Sequence, residues 1–438
     1  MDSSDHSPTG LDHLFRRESG RMVATVTRIF GAHNLALAED VVQDTFWRAI
    51  EIWKIKGMPD NPPAWLMTVA KNRALDVLRR ERTVRTFAPE LDHLLRSEWT
   101  LAPVVEDLFS RNAIKDDVLR MMFSCCHPRL AEEAQVALIL HILCGFGVTE
   151  IAGAFVSTHA AIEKRISRAK KALAEAKDLF ELGAPDEFAG RLPAVHRALY
   201  LLFNEGYHGA SPEAAVRTEL CREAIRLAMM LLDHPLGATP VTYALAALMC
   251  LDAARLPARV DPSGHLHSLP DQNRARWDQA LVAQGLELLE RSAAGAELSA
   301  YHLEAAIAAV HATAARLEDT DWKAIIRLYD TLMALNPSPV VALNRAIAVA
   351  QAEGPERGLE EIRAIDAARL SGYPFYEATL GELELRRGNI QLAREHFQAA
   401  LGKSRNAMEQ SFYNHRLAAC EAMSARGPEP NSGLSSPT

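Results

Sequence analysis

Glu39-Asp40-Val41-Val42-Gln43-Asp44-Thr45-Phe46-Trp47-Arg48-Ala49-Ile50-Glu51-Ile52-Trp53 is the stretch that decides the fold class. Its apolar residues recur at three and four, so Val41, Val42, Thr45, Phe46, Ala49, Ile50 and Trp53 make one stripe of a helix. Glu39, Asp40, Gln43, Asp44 and Glu51 fall off that stripe, leaving an acidic, amide-bearing face for solvent or a basic partner. The same periodicity runs along the chain, with alanine, leucine, arginine and glutamate dominant and no alternating Val/Ile/Thr run. The fold class is all-α.

Immediately downstream, Gly57 to Pro63 reads as a turn in which Asn61 caps a new helix, Pro62 can sit at its first position, and the helix runs on from Ala64. Leu66, Val69, Ala70, Ala74, Val77 and Leu78 point to a core, whereas Asn72, Asp76, Arg79 and Arg80 share another face. From Lys71 to Arg85 six basic residues (Lys71, Arg73, Arg79, Arg80, Arg82, Arg85) stand against Asp76 and Glu81. This local excess sits in a chain with 48 Lys and Arg against 56 Asp and Glu, a net charge of −8. The balance excludes a globally basic nucleic-acid coat but not a DNA-binding module. A charge run alone is ordinarily a solvated face. Trp65 on the same helix, with Trp47 and Trp53 before it, adds aromatic rings of the kind that stack unpaired bases, although most of these rings are expected in the core.

Further on, Val148, Ile151, Ala152 and Phe155 form a short amphipathic helix, Val156 and Ser157 break it, and Ile162, Ile166, Ala169 and Leu173 line a second. This is helix-turn-helix spacing, with Ser157 or Thr158 as cap. The second helix exposes His159, Ala160, Glu163, Lys164, Arg165, Ser167, Arg168, Lys170 and Lys171. Its N-terminal positions would meet base edges and its later cations phosphates; the plain alternative is a helical hairpin with a basic solvent face. Cys125, Cys126 and His127, with His141 and Cys144, are poorly spaced for zinc and lie among Leu119, Met121, Met122, Phe123 and Leu130, where a core is the simpler account. No cofactor or metal is expected, and no catalytic motif asks for an active site.

At roughly 150 residues per domain, 438 residues suggest about three domains. Punctuation places them at 11–85, 107–182 and 190–426, with a linker at 86–106 and a Gly/Pro/Ser tail at 427–438 expected to be disordered. At 48% hydrophobic and 24% charged residues a sizeable core is available. No apolar stretch approaching the ~20 residues of a membrane span and no leader at the polar N-terminus are expected, and with them a cytoplasmic location without a membrane. Six cysteines without C-x-x-C spacing fit a reducing compartment. In the third block a period of about 34 emerges. Leu380, Gly381, Ala393, Phe397 and Ala400 form its clearest unit, preceded by Ala346, Gly358 and Ile362 and by Ala312, Ala324 and Leu328. These offsets are those of a tetratricopeptide repeat; the alternative is generic helix pairing.

Taken together these residues resemble the extracytoplasmic-function sigma factors of bacterial RNA polymerase. Glu39 to Phe46 looks like the family's clamp-docking helix. Trp65-Leu66, Lys71-Asn72, Asp76 and Arg79-Arg80 look like its promoter-melting helix, and Thr149 to Ala152 with Ile162 to Lys170 like its minus-thirty-five helix-turn-helix. The long remainder resembles a subgroup with a tetratricopeptide-like C-terminal extension, to which Asp116 to Pro128 and Leu202 to Tyr207 are also assigned. One departure is Val156, where the family's turn usually carries glycine.

The resemblance implies two sigma domains and a helical-hairpin array, with core RNA polymerase and promoter DNA as partners and an intramolecular or protein partner for the extension. Asp40, Gln43 and Asp44 would bind the polymerase. Lys71, Asn72, Arg73, Asp76, Arg79 and Arg80 would hold the opened minus-ten strand with bases flipped out. His159, Ala160, Lys164, Arg165, Arg168 and Lys171 would read the minus-thirty-five duplex. Chemistry would belong to the polymerase, and the chain is not expected to be an enzyme. Two other classes stay open: a one-component helix-turn-helix regulator with a helical sensor, and a helical scaffold with no DNA role.

Overall fold

The computed structural model describes residues 8–30, 34–84, 117–127, 129–154, 157–175, 185–208, 216–261, 265–370, 373–404 and 406–426. The helices are α1 (Pro8–Phe30), α2 (Leu35–Lys56), α3 (Pro62–Val84), α4 (Asp117–Cys125), α5 (Glu132–Ile142), α6 (Val148–Ala154), α7 (His159–Glu175), α8 (Pro185–His208) and α9 (Thr218–Leu232). There follow α10 (Pro240–Ala253), α11 (Gln279–Ser292), α12 (Ala300–Thr313), α13 (Trp322–Leu335), α14 (Pro339–Glu353), α15 (Pro355–Arg363), α16 (Pro374–Arg386), α17 (Ile390–Gly402) and α18 (Ala407–Arg426). Among the described residues there is no strand, only an isolated antiparallel bridge between Val260 and Leu266. The linker 86–106, Phe155, Val156 and the tail 427–438 lie outside the described residues.

The chain divides into two compact units, residues up to Asn204 with Arg222–Thr242, and Glu205–Cys221 with Tyr243 onward. In the first, α1, α2 and α3 pack around Met22, Val26 and Phe30, the stripe Val41, Val42, Thr45, Ala49 and Trp53, and Leu66, Ala70 and Ala74, all buried. Phe46 and Ile50 are only half-buried at the edge of the stripe. Burial of each large side chain stabilises this core by about 1.5–3 kcal/mol. Gly57, at φ 78°, closes α2 by donating its N–H to Trp53 O at 3.0 Å, a left-handed turn that suits glycine. Asn61 Oδ1 accepts from Ala64 N at 3.1 Å, and α3 begins at Pro62, the first position expected of it, because proline already holds a helical φ.

The α4–α7 group packs on α1 within this unit. Arg28 Nη1 donates to Asp117 Oδ1 at 2.9 Å and Thr25 Oγ1 to Asp117 Oδ2 at 3.3 Å, tying α1 to the start of α4. Gly20 meets the chain after α5 so closely that a Cβ there would stand 1.9 Å from Leu143 O. The beginning of α8 covers α4: Phe188 stacks between Phe123 and His234, with centroids at 4.3 and 4.6 Å, and Arg191 Nη1 donates to Phe123 O at 3.2 Å.

In the second unit α12/α13, α14/α15 and α16/α17 form successive pairs, and the small residues of the 34-residue period fall on the faces where partners meet. A Cβ on Gly358 would lie 2.4 Å from Ala350 Cβ, and one on Gly381 2.9 Å from the Phe397 ring. Ala346, Ile362, Ala393, Phe397 and Ala400 are buried; Ala312, Ala324 and Leu328 are half-buried. Contrary to the expectation that no apolar stretch approaches a membrane span, the helical stretch Pro240–Arg259 is long and apolar enough to cross a membrane, but 67% of its apolar window is buried within the protein. Its apolarity serves packing, with Ala244 to Leu251 in the core.

Candidate polymerase and nucleic-acid interface

On α2, Asp40 and Gln43 are exposed and Asp44 is half-buried. Trp47, 69% exposed, and Ile55, 85% exposed, continue this same face at helical spacing toward Met58. An acidic end therefore passes into an apolar one. In the sequence alone Trp47 reads as one set with Trp53 and Trp65, which hides the apolar end. Those two rings pack on each other at 5.3 Å, with Phe15 stacked on Phe46 at 4.5 Å, and they belong to the core. The spacing of Ile55 from Trp47, outside the Trp53 stripe, was the available signal.

Along α3, Lys71, Asn72 and Asp76 are exposed. Arg73 is half-buried, its Nε 2.8 Å from Asp44 Oδ2, so a residue assigned to the minus-ten strand and one assigned to the polymerase neutralise each other across α2 and α3. Arg79 and Arg80 lie on the last turns of α3, and their side chains fall outside the described ones.

The helix-turn-helix spans α6 and α7. Glu150 Oε2 accepts from Gly147 N at 2.7 Å at the start of α6, and Thr158 Oγ1 accepts from Ala161 N at 3.3 Å at the start of α7. Ile162, Ile166, Ala169 and Leu173 are buried, which turns His159, Ala160, Lys164, Arg168 and Lys171 outward. Two cations of the predicted exposed set are instead half-buried in ion pairs. Arg165 Nη2 is 2.9 Å from Glu133 Oε2, and Lys170 Nζ donates to Glu39 Oε1 and Oε2 at 2.8 and 3.0 Å. Their acidic partners come from α5 and α2, which local periodicity could not bring into view.

Cys125, Cys126 and Cys144 are buried. Burial above all, with the nearby Glu39 charge adding to it, pushes the Cys125 thiol up to about 12. His141 Nδ1 is 3.0 Å from Phe146 O, and His127 Nδ1 accepts from Arg129 N at 3.1 Å. These groups serve the packing of α4 and α5.

Residues 14–84, the three helices α1 to α3, match the sigma-70 region 2 family. The chain therefore carries a sigma-70 region 2 domain. Its residues 191–293 match DUF6596, a family of unknown function. It also belongs to one family with an uncharacterized protein of Rhizobium meliloti (strain 1021), 39% identical over 386 residues that cover 88% of this chain and 90% of that one. No solved structure matches it.

Proposed function

We propose that this chain is a sigma factor that binds core RNA polymerase through the α2 face, opens the minus-ten element with α3, and reads the minus-thirty-five duplex with α7. The observation that carries the reading is the exposed cationic face of α7, Lys164, Arg168 and Lys171 with His159 and Ala160, in a chain whose first three helices match sigma-70 region 2. Phosphate contacts would position α7, and residues near its N-terminus would touch bases. On α3, Lys71, Asn72 and Asp76 together with Arg79 and Arg80 would hold the single strand. Binding energy for flipped bases then offsets the cost of unpairing. Asp40 and Gln43, with Asp44 released from or shared with Arg73, offer acceptors to a basic helix of the polymerase, and Trp47 and Ile55 an apolar continuation.

In this reading 11–85 and 107–182 are the two sigma domains of an extracytoplasmic-function member acting in the cytoplasm, and the polymerase supplies the chemistry. The part from 190 to 426 is a tetratricopeptide-like extension that regulates or supports activity through the rest of the chain or a protein partner. Its three successive helix pairs, with small residues at the period's positions, support that assignment. The test is run-off transcription with purified core polymerase on promoter fragments selected from a genomic library, comparing wild type with Arg79→Ala/Arg80→Ala. Specific transcripts that need both arginines are expected. Stable duplex binding with no transcript would instead identify a one-component regulator.

A further inference from the structure

Arginines and aromatic rings gather in the second unit just after α10. Arg259 lies over the Tyr207 ring at 4.4 Å, with its Nη2 2.7 Å from His208 Nδ1. Arg255, whose side chain is only 15% exposed, and Arg274 both approach the Trp277 ring, at 5.7 and 5.0 Å. Arg274 is fastened to the end of α12, donating to His311 O at 2.8 Å, Ala314 O at 2.7 Å and Thr320 Oγ1 at 3.2 Å. Arg255 Nε donates to Gln272 Oε1 at 3.3 Å, and its Nη1 is 3.6 Å from Asp252.

Guanidiniums crowd one another here and hydrogen bonding is incomplete. Asp252 lies beside Arg255 and Arg259, and burial pushes its pKa up against their pull. Burial above all, with the Arg255 charge adding to it, holds both Arg259 and Arg274 below the ordinary arginine value; Tyr207 and Asp252 pull the other way on Arg259, and Glu318 and Asp319 on Arg274. Arg259 Nε, Trp277 Nε1 and His311 Nδ1 are buried with no hydrogen-bond partner among the described residues. Buried polar groups nearly always have one, so these three donor or acceptor atoms call for a partner.

We propose that Arg255, Arg259 and Trp277 bind an oxyanion, the carboxylate or phosphate group of a small metabolite, inside the second unit. Guanidinium donors suit either group; here Arg259 Nε and the Trp277 indole N–H are the free donors, and Arg255 adds its positive charge beside them. Because the free donor atoms are buried, they are out of reach of the phosphates of duplex DNA, which leaves a small anion as the partner of matching charge. The site is independent of the promoter-binding reading and gives the extension a ligand class.

The test follows thermal unfolding of the full chain at constant ionic strength in chloride, inorganic phosphate or citrate. Phosphate or citrate well above its Kd should raise the transition by about 5 °C over chloride. The rise should vanish in Arg255→Gln and in Trp277→Phe, which keeps the ring and removes only the N–H, and should persist in the surface variant Arg316→Ala. The larger of the phosphate and citrate effects tells a phosphate-bearing ligand from a carboxylate-bearing one. Both anions also stabilise proteins nonspecifically, so an equal rise in wild type, Arg255→Gln and Trp277→Phe overturns the proposal, as does no rise in wild type.

Discussion

Trp47 and Trp53 stand on the same helix with the same chemistry, and the fold separates them completely: one is 69% exposed and the other 8%. Trp53→Ala should lower stability by about 3–5 kcal/mol. Trp47→Ala should change it by no more than about 0.5 kcal/mol while weakening affinity for core polymerase. Denaturant midpoints paired with polymerase titrations check both halves. Gly20 is a second residue whose role lies in what it touches. Because the obstacle to a Cβ is the Leu143 backbone and not a movable side chain, Gly20→Ala should cost about 2–4 kcal/mol, read as an earlier unfolding transition of the first unit. At this scale the caps were legible in the sequence, since Asn61 and Thr158 bond to residues three places on. The pairing of Arg73 with Asp44 and of Arg165 with Glu133 was not, because each joins different helices.

Among the elements, α7 shows how one helix serves two ends. Ile162, Ile166, Ala169 and Leu173 fix its rotation, and that rotation alone decides which cations stay outward. The periodicity therefore revealed its buried side and most of its free face, Lys164, Arg168 and Lys171. Lys170 instead reaches Glu39 on α2, and both side chains are mostly covered, at 27% and 20% exposure. A double-mutant cycle on Glu39→Ala and Lys170→Ala should give a coupling of about 0.5–1 kcal/mol. A coupling near zero would mean that the pair does not hold α7 against α2.

For the whole molecule, the boundary between units matters more than the boundary between sequence blocks. Phe188 and Arg191 cover α4, so a chain ending at Leu182 loses a wall of the first unit's own core. Such a truncation should unfold at lower denaturant than the same unit in the full chain and bind a hydrophobic dye. A truncation as stable as the intact unit would show that α8 contributes nothing there. Acid should weaken this unit as well. His196, with Nε2 2.8 Å from Thr242 Oγ1, is held neutral by burial, its pKa lowered to about 4. The unfolded chain binds that proton near pH 6.5, so the stabilisation is full above 6.5 and is lost as pH falls from 6.5 toward 4. The loss at pH 5 is about 2 kcal/mol, and His196→Gln should remove it from the pH dependence of the first unit's unfolding.

Sequence by itself determined the all-α class, the α2 stripe, the α3 and α7 starts and the two basic modules, because periodicity and capping act over three or four residues. Only the tertiary structure decided that Trp47 and Ile55 extend the acidic face, that Arg73, Arg165 and Lys170 have acidic partners, and that the apolar run from Pro240 is a core helix. It alone also brought Arg255, Arg259 and Arg274 together beside the buried Trp277. Those outcomes depend on which surfaces of separate helices meet, and burial, ion pairing and like-charge crowding are properties of that meeting.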